Sequence, residues 1–544
     1  MAFRIRFTLA LFCLLGNQYF IFADSFTESI QQREQFEKQK EVFEKLQKRQ
    51  DENIIRYDVK KPELLPLKDE PCFEIKAIKD EGITLLRESE KEFFYRQYIG
   101  KCTTLTELSN LAKQLSALYL EKGYITSQVY LKPQNISQGE VTLFALEGKI
   151  KSISPDERSI NNAFMGQVGD YLNLRDLEHA IETMNRLPSN HAKMDLIPNE
   201  EIGYTDVSIE NNTTSRLNGN VGINNFGTKK TGEKQGNLGL NIDNPLGIND
   251  QFAINLNSTD KHFKNENSIG DSYEYSFPIE NLLTTLSYRK SNYEQLVKGG
   301  ISTYPANGNT KTYTLNLNYK LYHNQNNRIH IGTFVSKYRS ENYLSHSLIE
   351  TASYDLSKVG VTFDYMYQTA GFYTYLAFNY TKGVDWFDAH NPTTLNEKYN
   401  LYTIDFSLSK QIFDIQYTLS AHYQHSDYKL FSVNQISIGG PYSVRGYNQE
   451  GISGNNGYYV RNEFSHKLNA KLFDYFEPTL FFALDGGEIK KEEDTVGGTL
   501  LSHTIGLKLK KNALDIMFYY AMPLYKKDVS VTRNFFGASI NYRF

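Results

Sequence analysis

The sequence predicts a transmembrane antiparallel β-barrel preceded by two small periplasmic α+β modules and an N-terminal helix. Three observations predict it. A secretory leader opens the chain, strict two-residue alternation of apolar and polar side chains runs from about residue 216 onward, and the final strand alternates up to Phe544.

The leader occupies residues 1–23. Arg4 and Arg6 precede an apolar stretch over 7–22, which Asn17 and Gln18 interrupt. That makes a poor spanning helix and a good export signal, with cleavage expected near Ala23. Phe12 before Cys13 argues against a lipoprotein site. No later segment has the run of apolar residues that a membrane helix needs.

Composition narrows the class further. The 544 residues carry 59 Lys and Arg against 63 Asp and Glu, a formal net charge of −4, which gives no reason to expect a nucleic-acid partner. Mean hydropathy is −0.50, yet Tyr (39) and Phe (34) abound and Trp occurs once. Many aromatics among many polar residues suit strands with one greasy and one wet face. The 11 His and 3 Cys show no metal spacing, and no Ser/His/Asp context stands out, so neither an enzyme nor a cofactor is expected.

Residues 24–50 read as a helix rich in Gln, Glu and Lys, without Pro or Gly. Glu34/Lys38, Glu41/Lys45 and Glu44/Lys48 lie at i,i+4 in the favourable order. Phe36 and Phe43, one heptad apart with Ile30, Val42 and Leu46 near, give only a thin apolar stripe. Such a helix cannot hold a core, so it lodges in a polar environment or serves as a solvated spacer. A linker over 51–70 follows, broken by Pro62 and Pro66.

Two modules come next, 71–151 and 152–212. In the first, 73–78 reads as a strand. The helix over 105–122 carries a capping box, Thr104 with Glu107, and stops at Gly123. Strands over 125–131 and 141–146 then alternate. With Cys13 in the leader, Cys72 and Cys102 remain, and two cysteines in an exported domain predict a disulfide, two free thiols being the other reading. Closing that loop stabilises the module by roughly 3–4 kcal/mol in the chain-entropy model. The second module repeats the plan: Asn173 caps a helix over 174–187 that Pro188 stops, and strands follow over 191–197 and 204–209.

From 216 to 544 the period changes to two. Tyr313, Leu315, Leu317, Tyr319 and Leu321 interleave with Thr314, Asn316, Asn318 and Lys320. Ile415 to Tyr423 and Tyr402 to Leu408 repeat the pattern. Each segment is long enough to cross a hydrocarbon layer as a tilted strand, and in lipid such strands must close on themselves. In the last strand Phe536, Ala538, Ile540, Tyr542 and Phe544 alternate with Gly537, Ser539, Asn541 and Arg543. This resembles the C-terminal signal by which outer-membrane barrels are recognised for assembly.

Residues 438–447 read Ile-Gly-Gly-Pro-Tyr-Ser-Val-Arg-Gly-Tyr. Residues 457–463 read Gly-Tyr-Tyr-Val-Arg-Asn-Glu, and 482–487 read Phe-Ala-Leu-Asp-Gly-Gly. With Asp-Asn-Pro-Leu-Gly at 243–247 and Tyr-Ser-Phe-Pro at 275–278, they resemble the transporters of two-partner secretion, the TpsB family of POTRA-plus-barrel proteins. The order of leader, helix, linker, two modules and barrel also matches. The resemblance implies a barrel of about 16 strands. It implies that Val444, Arg445, Gly446 and Tyr447 tip an extracellular loop folded back into the lumen, where Arg445 meets Asp485 on a wall strand that also carries Gly487. It implies a resting pore plugged by the N-terminal helix.

The expected function is export of an unfolded partner exoprotein, a haemolysin or adhesin, recognised in the periplasm through the POTRA modules. Outer-membrane lipids, lipopolysaccharide and the barrel assembly machinery are the other expected partners. A barrel or translocation assembly factor would share the fold, but usually with three or more POTRA modules. A passive porin would share the final strand without needing the modules.

Overall fold

The computed structural model describes residues 61–66, 70–260, 266–299, 302–324, 326–393, 395–447, 451–469, 472, 475–493, 495–528 and 534–544, together with Lys40, Val42 and Glu44. The leader over 1–23 and most of the helix and linker expected over 24–70 lie outside the described residues.

In the first module, Ala77–Glu81 runs parallel to Glu140–Leu146, which pairs antiparallel with Gln128–Leu131. The helix Leu105–Glu121 covers this sheet, and Leu111, Leu115, Tyr119, Val129 and Leu143 form the core. Its capping box is made: the Glu107 N–H donates to the Thr104 hydroxyl (3.2 Å) and the Thr104 N–H to the Glu107 carboxylate (2.7 Å). The single strand expected over 73–78 is two strands. Cys72–Glu74 pairs with Cys102–Thr104, and the chain then changes partner. The Ile75 N–H goes to Lys101 O and the Lys76 N–H to Gly139 O. Cys72 and Cys102 are bonded, with Cα atoms 5.2 Å apart, and so staple that ribbon. A further helix, Glu88–Tyr95, lies between these elements.

The second module begins slightly before the expected residue 152: its strand Lys149–Ser154 runs parallel, and Ala192–Pro198 antiparallel, to Tyr204–Asn211. Asn173 caps the helix Leu174–Asn185 by accepting the Arg175 N–H at 2.9 Å. Leu174, Leu177, Ala180, Ile181 and Met184 of that helix are buried in the module's core. The modules join where the Leu174 N–H donates to Gly123 O (2.8 Å) and Asn173 Nδ2 to Lys122 O (3.2 Å). Glu147 braces the end of the first module. Its carboxylate accepts the Thr84 and Leu85 N–H groups (2.6 and 2.9 Å) and the Tyr119 hydroxyl (2.6 Å).

The rest of the chain is a closed antiparallel barrel of 16 strands, from Leu217–Asn224 to Phe535–Arg543, whose edges join each other. Closure follows from the solvent: within hydrocarbon no water can satisfy an unpaired edge. Alternation sorts the side chains as the sequence requires. Tyr313, Tyr319, Ile331, Phe363, Phe378, Tyr402, Ile415 and Tyr423 point outward and are exposed, as are Phe536, Ile540, Tyr542 and Phe544. Tyr273, Tyr288 and Tyr313 stand side by side across three strands, with ring centroids 6.2 and 4.9 Å apart. Outward-facing aromatics in contact across strands are what an interfacial girdle requires. The strands Leu282–Gly299, Ser302–His323 and Asn327–Leu344 far exceed the roughly 10 residues that cross a bilayer, so this part of the wall continues beyond it.

Two barrel ladders slip register by one residue. One slip lies between Lys320 and Tyr322, the other opposite Leu501 and Ser502, where Leu524 is the extra residue. At the first, Leu321 and Tyr322 both face outward and exposed, which places Lys320 and His323, three apart, on the same inner side.

Replacing Cys72 and Cys102 by Ala should remove about 3–4 kcal/mol from the first module. Limited proteolysis of the full chain should then cut within 72–104, while heat-modifiable migration of the barrel in gels stays unchanged.

Candidate functional site

The loop joining the wall strands Ile415–His425 and Gly457–Lys467 does not stay outside the barrel. It forms a small hairpin, Ile436–Ile438 against Ile452–Gly454, and then enters the lumen. Gly439 and Gly440, at φ of 102° and 114°, make the turn, a conformation that other residues avoid. The Gly440 N–H donates to Val444 O at 3.1 Å. Ile436, Ile438, Val444 and Tyr447 pack against Tyr459, Ile489 and Leu500 of the wall, so the intruding segment has an apolar core of its own.

At its tip Arg445 meets Asp485 in a two-pronged contact. Nε donates to Oδ2 at 2.6 Å and Nη2 to Oδ1 at 2.9 Å. The remaining prong, Nη1, reaches Glu463 at 2.9 Å, and Lys508 holds the other oxygen of Glu463. Asp485 is fully buried and also receives the Arg445 backbone N–H at 3.3 Å. Planar, doubly bonded recognition of this kind is what a guanidinium does and an ammonium does not. Removing either partner strands the other charge in a buried place, at a cost of about 3–5 kcal/mol.

Neighbouring residues fix the tip in position. Arg461 donates to Pro441 O at 2.9 Å. The Tyr447 hydroxyl donates to Tyr525 O at 2.6 Å, with Leu501 O at 3.2 Å, beside the second register slip. A Cβ on Gly446 would lie 2.9 Å from the Met522 carbonyl carbon, and one on Gly487 would lie 2.8 Å from Tyr458 O. Each glycine therefore marks a close approach, at Gly487 the one that lets Ile438 of the loop lie against the wall.

Deeper toward the periplasm, the inner wall carries a second cluster. Met366, Tyr373, Tyr375 and Ala377 are buried, and Val42 packs against them. Lys40, Val42 and Glu44 are helical, with Lys40 and Glu44 paired at i,i+4 (3.9 Å). Of the helix expected over 24–50, these are the three described residues.

The second module docks on the periplasmic rim. The polar stripe of its helix Leu174–Asn185, continued by Arg186, faces the barrel. Arg186 donates to Asn249 O (2.7 Å) and Ser276 Oγ (3.0 Å). Glu182 receives Arg328 Nη2 at 2.5 Å, with His323 at 3.4 Å and Lys320 at 3.5 Å. His179 Nδ1 contacts Lys320 Nζ at 2.5 Å. Asp243, fully buried, accepts the Ser189 N–H at 2.9 Å together with Asn218 and Gln251 amides. Asn249 reaches Ser159 O at 2.7 Å. The segment 243–251 is thus a docking knuckle between module and barrel. Sequence reasoning passed over Glu182 and Arg186, because a polar stripe on an amphipathic helix reads as a solvated face, and over Arg328, which reads as one more polar residue of a barrel strand.

Among the described residues no group of His, Cys, Asp and Glu is placed to hold a metal ion. The barrel ends meet through backbone pairs, Gly219 N–H to Phe544 O and Phe544 N–H to Gly219 O, each 2.9 Å.

Residues 203–509, more than half of the chain, match the haemolysin secretion/activation protein family ShlB/FhaC/HecB. The chain belongs to that family. Residues 73–148 match the ShlB-type POTRA domain and 143–198 a second POTRA domain. The outer membrane transporter CdiB of Dickeya dadantii (strain 3937) is 27% identical over 529 residues, 94% of each chain. The hemolysin transporter protein HpmB of Proteus mirabilis is 26% identical over 465 residues, 82% of each. Among solved structures, CdiB from Escherichia coli superposes with a TM-score of 0.86 at 25% identity, over 94% of this chain and 98% of that one. This transporter is therefore an outer-membrane secretion pore of the two-partner type and not an enzyme, with its POTRA domains in the periplasm.

The rim contact carries a pH dependence. Burial, and then the Lys320 ammonium, push the His179 imidazole down to about 3, so His179 is neutral when docked. Burial acts to raise Glu182, but the His323 hydrogen bond and the Arg328 and Lys320 charges outweigh it and hold Glu182 well below the usual carboxylate range. A depressed imidazole favours docking fully above its free value of about 6.5, and that contribution is lost as pH falls toward the docked value. Lowering pH from about 7 to about 5 should therefore broaden spin-label distances between the helix Leu174–Asn185 and the rim. His179→Gln should abolish that change, since Glu182 stays ionised throughout the window.

Proposed function

We propose that this transporter recognises one large, unfolded partner exoprotein in the periplasm through its POTRA domains, threads it through the barrel and releases it to fold at the cell surface. The relatives named for haemolysin transport make a haemolysin-like cargo the natural class, an adhesin-like one being the alternative. The observation that carries the reading is the loop clamped inside the pore by Arg445 and Asp485. A passive channel has no use for a buried ion pair that narrows it, whereas a conduit that must be both sealed and opened does.

Recognition proceeds by strand addition, in which an extended segment joins an exposed sheet edge through backbone hydrogen bonds. Side chains of the covering helices already engage part of two edges. Ser116 accepts the Val129 N–H (2.8 Å) and Asn185 accepts the Ala192 N–H (2.6 Å), which directs the incoming segment to Ala77–Glu81 or to 193–198. The N-terminal helix plugs the resting lumen, a reading supported by Val42, which packs against the inner-wall cluster of Met366, Tyr373, Tyr375 and Ala377. Outer-membrane lipids and lipopolysaccharide cover the exposed aromatic belt. The barrel assembly machinery inserts the wall, with the outward row of Phe536, Ile540, Tyr542 and Phe544 as its handle.

Arg445→Ala should cut secretion of the partner at least tenfold while the barrel remains heat-modifiable in the outer membrane. Normal secretion by that variant would refute the role given to the clamped loop. Deleting residues 25–49 should raise single-channel conductance in planar bilayers, and an unchanged conductance would sink the plug.

A further inference from the structure

The register of the barrel aligns three devices that the sequence keeps far apart. Across successive strands His323 stands opposite Arg328, Arg328 opposite Met366, and Met366 opposite Tyr375. The line continues from Tyr375 to Ser407, Ser420, Arg461 and Asp485. Asp485, Met366, Tyr375 and Ser407 are fully buried, and Arg328 and Arg461 nearly so. One perpendicular row of inward side chains therefore begins at the POTRA dock, passes under Val42 and ends at the partner of the loop tip.

The periplasmic end of this row is built for transmission. Arg328 has one arm on Glu182 of the second POTRA domain and the other, Nη1, 3.9 Å from Met366 Sδ. Glu182 and Arg328 side chains are both more than nine-tenths buried. If the helix Leu174–Asn185 moves off the rim, Arg328 loses the carboxylate that orients its guanidinium. Met366 then loses its polar contact with Arg328, and Met is the most adaptable of apolar residues. Met366 belongs, with Tyr373, Tyr375 and Ala377, to the buried cluster against which Val42 packs.

We infer that Arg328 is a positioning residue that couples docking of the second POTRA domain to residence of the N-terminal helix in the lumen, through Glu182, Arg328, Met366 and Val42 in that order. This rests on the plug reading above. The cargo needs no direct contact with the plug: whatever shifts the domain from the rim loosens the seat, and by linkage removal of the plug weakens the dock.

The test uses the full transporter in planar bilayers. Glu182→Gln, Arg328→Gln and Met366→Ala should each raise the fraction of time spent in the high-conductance state several-fold, and the Glu182/Arg328 double variant no more than either single one. In a background deleted for 25–49 none should add anything. Val42→Cys, labelled with an impermeant maleimide, should react faster when Glu182→Gln is present, a readout confined to folded, heat-modifiable protein. Wild-type gating in Glu182→Gln and Arg328→Gln, with the deletion still opening the pore, would overturn the coupling and leave the plug standing. An effect that persists in the deleted background would also overturn it, since it would then arise at the mouth alone. No rise on deletion would remove plug and coupling together.

Discussion

Hydrocarbon offers a backbone no hydrogen-bond partner, and the rest of this structure follows from that constraint. It forces the strands to close, and closure divides their side chains into a lipid side and a lumen side. The lipid side takes an exposed belt of aromatic and aliphatic side chains. The lumen side takes Asn, Ser, Thr and hydrogen-bonded His–Asp pairs, such as His330 with Asp364 and His422 with Asp405. A wall so furnished can bind what enters it. The loop tip uses Asp485, Val42 uses an apolar patch, and the POTRA domain uses the cationic rim.

These three contacts differ in chemistry, and the difference suits their tasks. The loop tip is held by a doubly bonded ion pair buried beside aromatic Phe481, a strong and directional contact. Val42 packs against a cluster of Met, Tyr and Ala side chains, a soft contact with little directional demand. The dock mixes a few charges with backbone carbonyls around 243–251, and one neutral histidine inside it makes it responsive to acid. The first POTRA domain is joined to the second by the Leu174 N–H on Gly123 O and by the Asn173 amide on Lys122 O.

Much of this was legible in the residues. Alternation marked the barrel and its outward face, and the order of helices and strands marked the modules. The motifs around Arg445 and Asp485 brought the two together in expectation before any geometry did. What was not legible depends on contacts between elements. The strand at 73–78 divides because its chain exchanges one partner for another at Ile75, which local propensity does not encode. Glu182 and Arg186 looked like ordinary solvated positions, because nothing on their own helix reveals a barrel rim beneath them. The Asp-Asn-Pro-Leu-Gly stretch served as a family mark, yet its work is mechanical, through Asp243 and the turn it opens. Leu321 read as a regular lipid-facing position, and only the ladder shows that it is supernumerary.

That supernumerary residue and its counterpart Leu524 have an evolutionary reading. Both described phase slips of the barrel lie where a foreign element touches the wall, one at the POTRA rim and one where Tyr447 meets Tyr525. Excision of either residue would restore perfect parity to its strand and leave the cylinder closed. What would be lost is the alignment of the wall with its visitor. The architecture thus keeps container and traffic control in separate places in the gene. A lineage can retune what its pore answers to by single-codon insertions and deletions, without renegotiating the pairing that keeps the pore in the membrane.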